Sequence, residues 1–222
     1  MRILKSAAMA ALALGLTAGT AIADSFKQGD LIVRGRAIML APTADSNGIA
    51  PDLLAGGLEA QTSATPELDF TYMVTDNIGV ELILATSKHS IDAVRGIAGV
   101  GRAAEAWLLP PTLLAQYHFD TGTKFKPYIG AGINYTLFYG VEADANLNNA
   151  LGGNTNIVAE SSIGPAAQIG FDYMIDDKWM INVDAKYAHI SSDLKIRTGN
   201  TVRRTTLDIN PIVVGIGVGY RF

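Results

Sequence analysis

His189 and Ser191 come nearest, in type and spacing, to the residues of a catalytic site. They stand two positions apart, so on an extended strand both side chains point to the same face. A histidine can then act as the base for a serine nucleophile, but this chemistry also needs a carboxylate that orients the histidine. Nothing else in the sequence marks such a set, so we expect the protein not to be an enzyme.

The sequence also gives no sign of metal or phosphate chemistry. His89 and His118 lie far apart in the order of strands, and neither has further ligands at metal-binding spacing. The chain has no cysteine, which excludes thiolate ligands and disulfides. Glycine-rich stretches at 96–101 and 130–132 lack the strand, turn and helix context of a phosphate-binding loop. We therefore expect no metal and no cofactor.

The first residues have the pattern of a secretory signal peptide. Arg2 and Lys5 form a basic start, residues 7–16 are apolar, and residues 21–23 read Ala-Ile-Ala, a cleavage motif. The apolar stretch is shorter than the roughly 20 residues that a membrane-spanning helix needs. We therefore predict that residues 1–23 are a signal peptide and that residues 24–222 form one exported domain.

Composition narrows the class of this exported domain. The net charge is −4 and the pI is about 5.3, which gives no basic stripe for nucleic acid. Hydrophobic residues make up 49% of the chain and charged residues only 17%, and 23 residues are glycine. This combination suits either a soluble β-sandwich or a membrane β-barrel.

Eight segments alternate between apolar and small or polar residues, which is the two-residue period of a β-strand. In the last segment the apolar parity contains Ile212, Val214, Ile216, Val218, Tyr220 and Phe222, and the other contains Gly215, Gly217, Gly219 and Arg221. The segments are 31–40, 67–72, 78–84, 107–119, 125–137, 163–173, 179–187 and 212–222. Bacterial single-chain barrels have an even number of strands, and eight fits this rule.

Two features favour a membrane barrel over a sandwich. Aromatic residues gather at strand ends on the apolar face, where a barrel meets the two membrane interfaces: Tyr72, Trp107, Tyr117, Phe119, Tyr139, Tyr173, Trp179 and Tyr220. Connections also alternate between tight turns at 76–77, 120–123 and 176–177 and long loops at 41–64, 89–104, 140–160 and 191–203. We therefore predict an all-β, eight-stranded antiparallel transmembrane barrel with short periplasmic turns and long extracellular loops.

The strand segments resemble the outer-membrane protein W family. The resemblance rests on GDLIVRGRAIMLAP (29–42), TPELDFTYMVTDNIGVELILAT (65–86), WLLPPTLLAQYHF (107–119), KPYIGAGINYTLFY (126–139), QIGFDYMIDDKWMINVDAKY (168–187) and LDINPIVVGIGVGYRF (207–222). It implies a narrow apolar channel that admits small hydrophobic molecules across the lipopolysaccharide layer of a Gram-negative outer membrane. The C-terminal aromatic residue resembles the sorting signal that such barrels present to the barrel assembly machinery.

Parity and height along each strand sort the inward side chains into two groups. The outer half of the lumen is predicted to be an apolar ligand site formed by Ile38, Leu40, Ile83, Leu108, Pro110, Phe138, Leu207 and Ile209. A polar plug is predicted below it, formed by Arg34, Arg36, Glu67, Asp69, Glu81, Asp184 and Lys186, with Asp172 also inward. Because an isolated buried charge is costly, we expect Arg34 and Arg36 to pair with Glu67 and Asp69 on the neighbouring strand. The apolar side chains have a purely structural interpretation too, since small barrels fill their interior with side chains.

Prolines interrupt the strand segments at Pro110, Pro111 and Pro211. Proline lacks a backbone donor and is rare inside paired strands, so these positions mark either bulges and strand ends or a gap through which a ligand could leave sideways into lipid. Together with the apolar outer lumen, the family resemblance implies passive uptake of small hydrophobic molecules, with membrane lipid and lipopolysaccharide as surroundings. The alternative is a structural or adhesive barrel with a sealed lumen that acts through its extracellular loops.

Overall fold

The computed structural model describes residues 25–222, so the predicted signal peptide lies outside the described residues. In chain order the strands are β1 (Leu31–Ala41), β2 (Gly56–Ala60), β3 (Ser63–Met73), β4 (Ile78–Ala85), β5 (Ser87–Arg95), β6 (Arg102–Leu109), β7 (Thr112–His118), β8 (Phe125–Ala143), β9 (Thr155–Ala159), β10 (Ser162–Met174), β11 (Trp179–Ala188), β12 (Ser191–Thr198), β13 (Thr201–Asp208) and β14 (Ile212–Arg221). A 3-10 helix spans Ala98–Val100 and the α-helix α1 spans Ala145–Leu151. Neither helix in this part of the chain is long and apolar enough to cross a membrane.

Eight of these strands close into an antiparallel barrel. Their order is β1, β3, β4, β7, β8, β10, β11 and β14, each hydrogen-bonded to the next. The ring closes between β14 and β1, where Gly35 lies opposite Val218. The first strand begins and the last strand ends at the end of the barrel that has the short turns, where Arg221 pairs with Asp30 at 2.8 Å. The predicted eight-stranded barrel is confirmed.

The outer surface of the barrel is apolar and the inner surface is crowded. Ile163, Ile169 and Ile216 are each at least 60% exposed, which in a membrane means contact with lipid. Inside, the glycines of β14 leave room for larger neighbours. A Cβ at Gly219 would lie 2.8 Å from the Met180 side chain.

The four predicted long loops contain regular structure. They hold β2, most of β5, α1, β9, β12 and the ends of neighbouring strands, which together continue the barrel wall above the membrane. On one side β2, β5 and β6 add to β8, and on the other β9, β12 and β13 form a three-stranded sheet. Bridges from Ser46 to Leu207 and from Ala50 to Arg204 join the two sides. We call this part the extracellular extension.

The predicted fourth strand, 107–119, is divided in two. β6 ends at Leu109 and β7 begins at Thr112, with Pro110 and Pro111 between them. The two prolines interrupt the strand because neither can donate a ladder hydrogen bond. Register is kept across the break, since Ile83 lies opposite Thr112 and Ser87 lies opposite Leu108.

Candidate functional site

Two apolar cavities lie inside the wall, one above the other. The upper one, which we call the outer chamber, lies within the extracellular extension. Four predicted lumen residues line it: Leu108, Phe138, Leu207 and Ile209. Its remaining lining comes largely from segments predicted as loops, including Ile91, Leu147 and Ile157. Sequence reasoning missed these because it treated the extension as irregular.

His89 is a titratable side chain in the lining of the outer chamber. Its Nδ1 lies 2.8 Å from the carbonyl oxygen of Gln61 and its Nε2 lies 3.0 Å from the hydroxyl of Ser87. Burial lowers the pKa of His89 below the ordinary histidine value. The imidazole is therefore neutral at ordinary pH, and the chamber presents no charge to a ligand. The sequence contained a signal for this position, because His89 has the same inward parity in β5 as Ile91 and Ala93.

The helix α1 contributes to the wall of the outer chamber. Asp144 caps the helix, because its side chain accepts a hydrogen bond from the backbone N–H of Asn146 at 2.9 Å. Leu147 is buried and points into the chamber. This short helix thus supplies one apolar side chain to the lining of the chamber.

The lower cavity, the inner pocket, lies in the upper half of the barrel. The other four predicted lumen residues line it: Ile38, Leu40, Ile83 and Pro110. Pro211 lines it as well, and the side chains of Glu67 and Lys186 form part of its floor. The predicted ligand site is therefore two stacked spaces, each lined by half of the predicted residues.

Arg36 holds the centre of the polar plug. Its guanidinium contacts four carboxylates: Glu67 at 3.1 Å, Asp69 at 2.6 Å, Glu81 at 3.3 Å and Asp184 at 2.6 Å. All five side chains are buried. Charge pairing is what makes such burial tolerable, because each group alone would carry a large desolvation cost. Arg36 therefore pairs with Glu67 and Asp69 as expected.

Arg34 pairs differently from the expectation. Its partner is Asp172 on β10, reached through hydrogen bonds of 3.0 and 2.7 Å, with Glu81 at 3.4 Å. Asp69 lies opposite Arg34 in the β1–β3 ladder, but its carboxylate forms an ion pair with Arg36 instead. The long guanidinium side chain crosses the narrow lumen, so the ladder neighbour is not the ion-pair partner.

Lys186 completes the upper surface of the plug. Its ammonium contacts Glu67 and lies 3.0 Å from Asp184. All seven predicted plug residues thus meet in one network. Tyr128 and Asn182, which sequence reasoning did not single out, join it: Asn182 bonds to Arg36, Asp172 and the hydroxyl of Tyr128.

An apolar layer closes the periplasmic end below the plug. Phe26, from the segment before β1, is 3% exposed and packs with Ile32, Met73, Met174 and Met180. Its ring meets that of His118 edge-on, with centroids 5.3 Å apart. Straight passage through the barrel is therefore blocked twice, first by charge and then by packed side chains.

The wall between β4/β5 and β6/β7 has an interruption, which we call the seam (residues 84–86 and 109–111). Ladder pairs stop at Ile83–Thr112 and resume at Ser87–Leu108. The register across the gap places Ala85 opposite Pro110, and both residues line the inner pocket. The carbonyl of Pro110 is held from the other side, since the Asn134 amide and the Thr112 hydroxyl donate to it at 3.2 and 3.0 Å.

Pro211 lies in a differently built part of the wall. The backbone N–H of Ile209 donates to Ile190 at 2.9 Å, and that of Thr43 donates to the carbonyl of Ile209 at 3.0 Å. Asn210 has a positive φ of 42°, and its side chain accepts from the N–H of Ile190 at 3.0 Å. These bonds keep the neighbouring segments joined around Pro211.

In the part of the chain that the structure describes, the side chains of His189 and Ser191 form no hydrogen bond with each other. The backbone of His189 donates to Pro165 at 2.9 Å, and the backbone of Ser191 donates to the Ser162 hydroxyl at 3.0 Å. Within residues 25–222, no group of three or more histidines and carboxylates is placed to hold a metal ion.

Comparisons with known proteins point in one direction. The OmpW family model matches residues 27–222. Outer membrane protein W of Escherichia coli K12 is 36% identical over 99% of this chain and 100% of its own length. The uncharacterized outer-membrane protein y4mB of Sinorhizobium fredii is 37% identical over 90% of this chain and 82% of its own. Among solved structures, the outer membrane protein OprG of Pseudomonas aeruginosa matches with a TM-score of 0.82 and 32% identity, covering 89% of this chain and 98% of OprG.

Proposed function

This chain belongs to the OmpW family of outer-membrane barrels, and from that premise we propose that it admits small hydrophobic molecules into the outer membrane. Family membership and outer-membrane location agree with the sequence predictions. One observation carries the proposal: two apolar cavities are stacked above a plug in which each charged side chain has a partner.

The two cavities are lined by neighbouring inward positions of the same chain segments. Leu108 and Ile209 line the outer chamber, and Pro110 and Pro211, two residues further along the same chain segments, line the inner pocket. Inward residues two apart on a strand are vertical neighbours. A hydrophobic solute that leaves the outer chamber thus moves directly into the inner pocket. The inner pocket binds the solute favourably because the apolar surface of the solute is removed from water there.

Exit is proposed to be sideways through the seam. The plug offers a hydrophobic molecule no favourable path downward, because its side chains are charged and already paired. At the seam, in contrast, Ala85 and Pro110 face each other across a gap in the ladder and line the pocket. The hydrogen bonds around Pro211 make that position a weaker candidate, so Pro110 and Pro111 are the preferred exit.

A disulfide staple across the seam tests this route. The chain has no cysteine, so Ala85→Cys with Pro110→Cys introduces a single possible pair. The matched control is Ala166→Cys with Ala188→Cys, which are directly opposite on the paired β10–β11 ladder and line the same pocket. Uptake of a medium-chain alkane and of a small polar solute is measured in outer-membrane vesicles before and after reduction.

We expect the oxidised seam staple to abolish alkane uptake and reduction to restore it, whereas the oxidised control should transport normally. Unchanged alkane uptake through the oxidised seam would refute lateral exit. If wild-type vesicles take up no more alkane than vesicles without the protein, or if the polar solute passes equally well, hydrophobic uptake itself is wrong.

A further inference from the structure

The outer surface of the β9–β12–β13 sheet carries a compact group of cations. Lys195, Arg197 and Arg204 alternate with the inward residues Leu194, Ile196 and Arg203, and all three cations are exposed. Because Leu194 and Ile196 pack into the core of the extracellular extension, the cations point away from the chamber. We call Lys195, Arg197 and Arg204 the basic face.

The charges on the basic face are only partly balanced by the protein. Lys195 lies directly opposite Arg204 in the β12–β13 register, and Arg197 is one step along on the same face. Directly opposed like charges destabilise a strand pair. Lys195 has an exposed ion pair with Glu160 at 3.1 Å. Within residues 25–222, neither Arg197 nor Arg204 forms a salt bridge.

The height of the basic face above the membrane determines which molecules surround it. On β11 the apolar outer parity ends at Tyr187, which lies opposite Ile212 of β14. Lys195 follows eight residues later, which is about 26 Å along an extended chain at roughly 3.3 Å per residue. The basic face therefore stands above the hydrocarbon layer and looks sideways along the membrane. Its surroundings there are the saccharides of neighbouring lipopolysaccharide molecules, which fill the outer leaflet of a Gram-negative outer membrane.

We infer that the basic face binds a phosphate group on the saccharide of lipopolysaccharide. Cross-strand neighbours have Cβ atoms about 5 Å apart and diagonal ones about 7 Å apart, so the three cations can converge on one phosphate. Arginine binds phosphate through two parallel hydrogen bonds, and two arginines are available here. The bound phosphate relieves the repulsion between Lys195 and Arg204, of which only Lys195 has an acidic partner in the protein.

A second copy of this chain is the rival occupant. The opposite wall of the extension carries directly opposed carboxylates, Glu59 with Asp92 and Glu105 with Glu142. Lys88 and Arg102 already neutralise part of that wall, pairing with Glu105 at 2.6 and 3.2 Å. The opposite wall is thus partly satisfied whereas Arg197 and Arg204 are not, which favours lipopolysaccharide.

The test measures lipopolysaccharide binding to the folded, full-length mature barrel in detergent by native mass spectrometry. The variant is Lys195→Gln, Arg197→Gln, Arg204→Gln. The matched control is Lys88→Gln, Arg102→Gln, which removes cations that already have partners. Each protein is titrated with phosphorylated lipopolysaccharide and with the same material after chemical removal of its phosphates.

We expect the triple variant to bind phosphorylated lipopolysaccharide about a hundredfold more weakly, since each cation near a charged surface contributes roughly a factor of five. The control should bind as the wild type does, and removal of phosphate should abolish the difference between the proteins. Equal binding by the triple variant and the wild type would overturn the inference. So would a wild type that forms salt-sensitive dimers and binds both lipopolysaccharide preparations equally.

Discussion

Arg36→Met removes the cation that four lumen carboxylates share, and its effect on stability can be estimated from the contacts. Methionine keeps the length of the side chain but leaves Glu67, Asp69, Glu81 and Asp184 without their common partner. Lys186 still reaches Glu67 and Asp184, and Arg34 still lies 3.4 Å from Glu81, so Asp69 loses most. Removing one partner of a buried ion pair typically costs about 3–5 kcal/mol.

The assay is reversible unfolding of the barrel by denaturant in the presence of lipid vesicles. A loss of about 3–5 kcal/mol corresponds to a change of roughly two to four orders of magnitude in the unfolding equilibrium constant. Arg36→Lys should lose less, because it keeps the charge but not the planar fork that contacts several carboxylates at once. Arg102→Met is the surface control, and we expect only a small change because its partners remain solvated. A loss below about 1 kcal/mol for Arg36→Met would refute the conclusion that the plug is a dry, tightly coupled network.

Four further predictions follow from other parts of the barrel. Phe138→Asp puts a charge in the outer chamber and should strongly reduce alkane uptake while the folded barrel keeps its electrophoretic mobility; normal uptake would show that solutes bypass the chamber. Replacing 145–151 with a short glycine-serine linker removes part of the wall of the outer chamber and should speed exchange of a bound apolar fluorophore without changing barrel stability. Phe26→Ala opens the periplasmic layer and should increase hydrogen exchange of the His118 backbone amide, whereas an unchanged exchange rate would place the seal elsewhere. Hydrogen bonds, first of all with Ser25, lower the pKa of Asp120 to about 2, so the stabilisation of the periplasmic turn should persist at pH 4 and be lost only as the pH falls through about 2, which NMR titration of the carboxyl group can follow.

The barrel could be predicted from the sequence because the two-residue period of a β-strand assigns each side chain to one of the two faces. In residues 212–222 the apolar and glycine-rich parities assign each side chain to lipid or lumen, and a shift of one residue would reverse all of them. The extension was missed because its strands alternate less clearly: in β5, the inward Ser87 and His89 are as polar as the outward Ser90. Their burial depends on neighbouring strands that close over them, which a single segment does not reveal.

The lumen shows the same division between pattern and packing. Parity alone determined that Arg34, Arg36, Asp172 and the other plug residues face inward, because direction on a strand is a local property. Only the closed barrel decided that Arg34 meets Asp172 on β10 and that Arg36 takes Asp69, because side-chain reach across the lumen depends on which strands face each other. The sequence likewise determined that Pro110 interrupts a strand, since proline has no N–H. The tertiary structure decided that this interruption opens on an apolar pocket, because Ala85 of the adjacent strand and the side chains around Ile83 meet there only when the ring is closed.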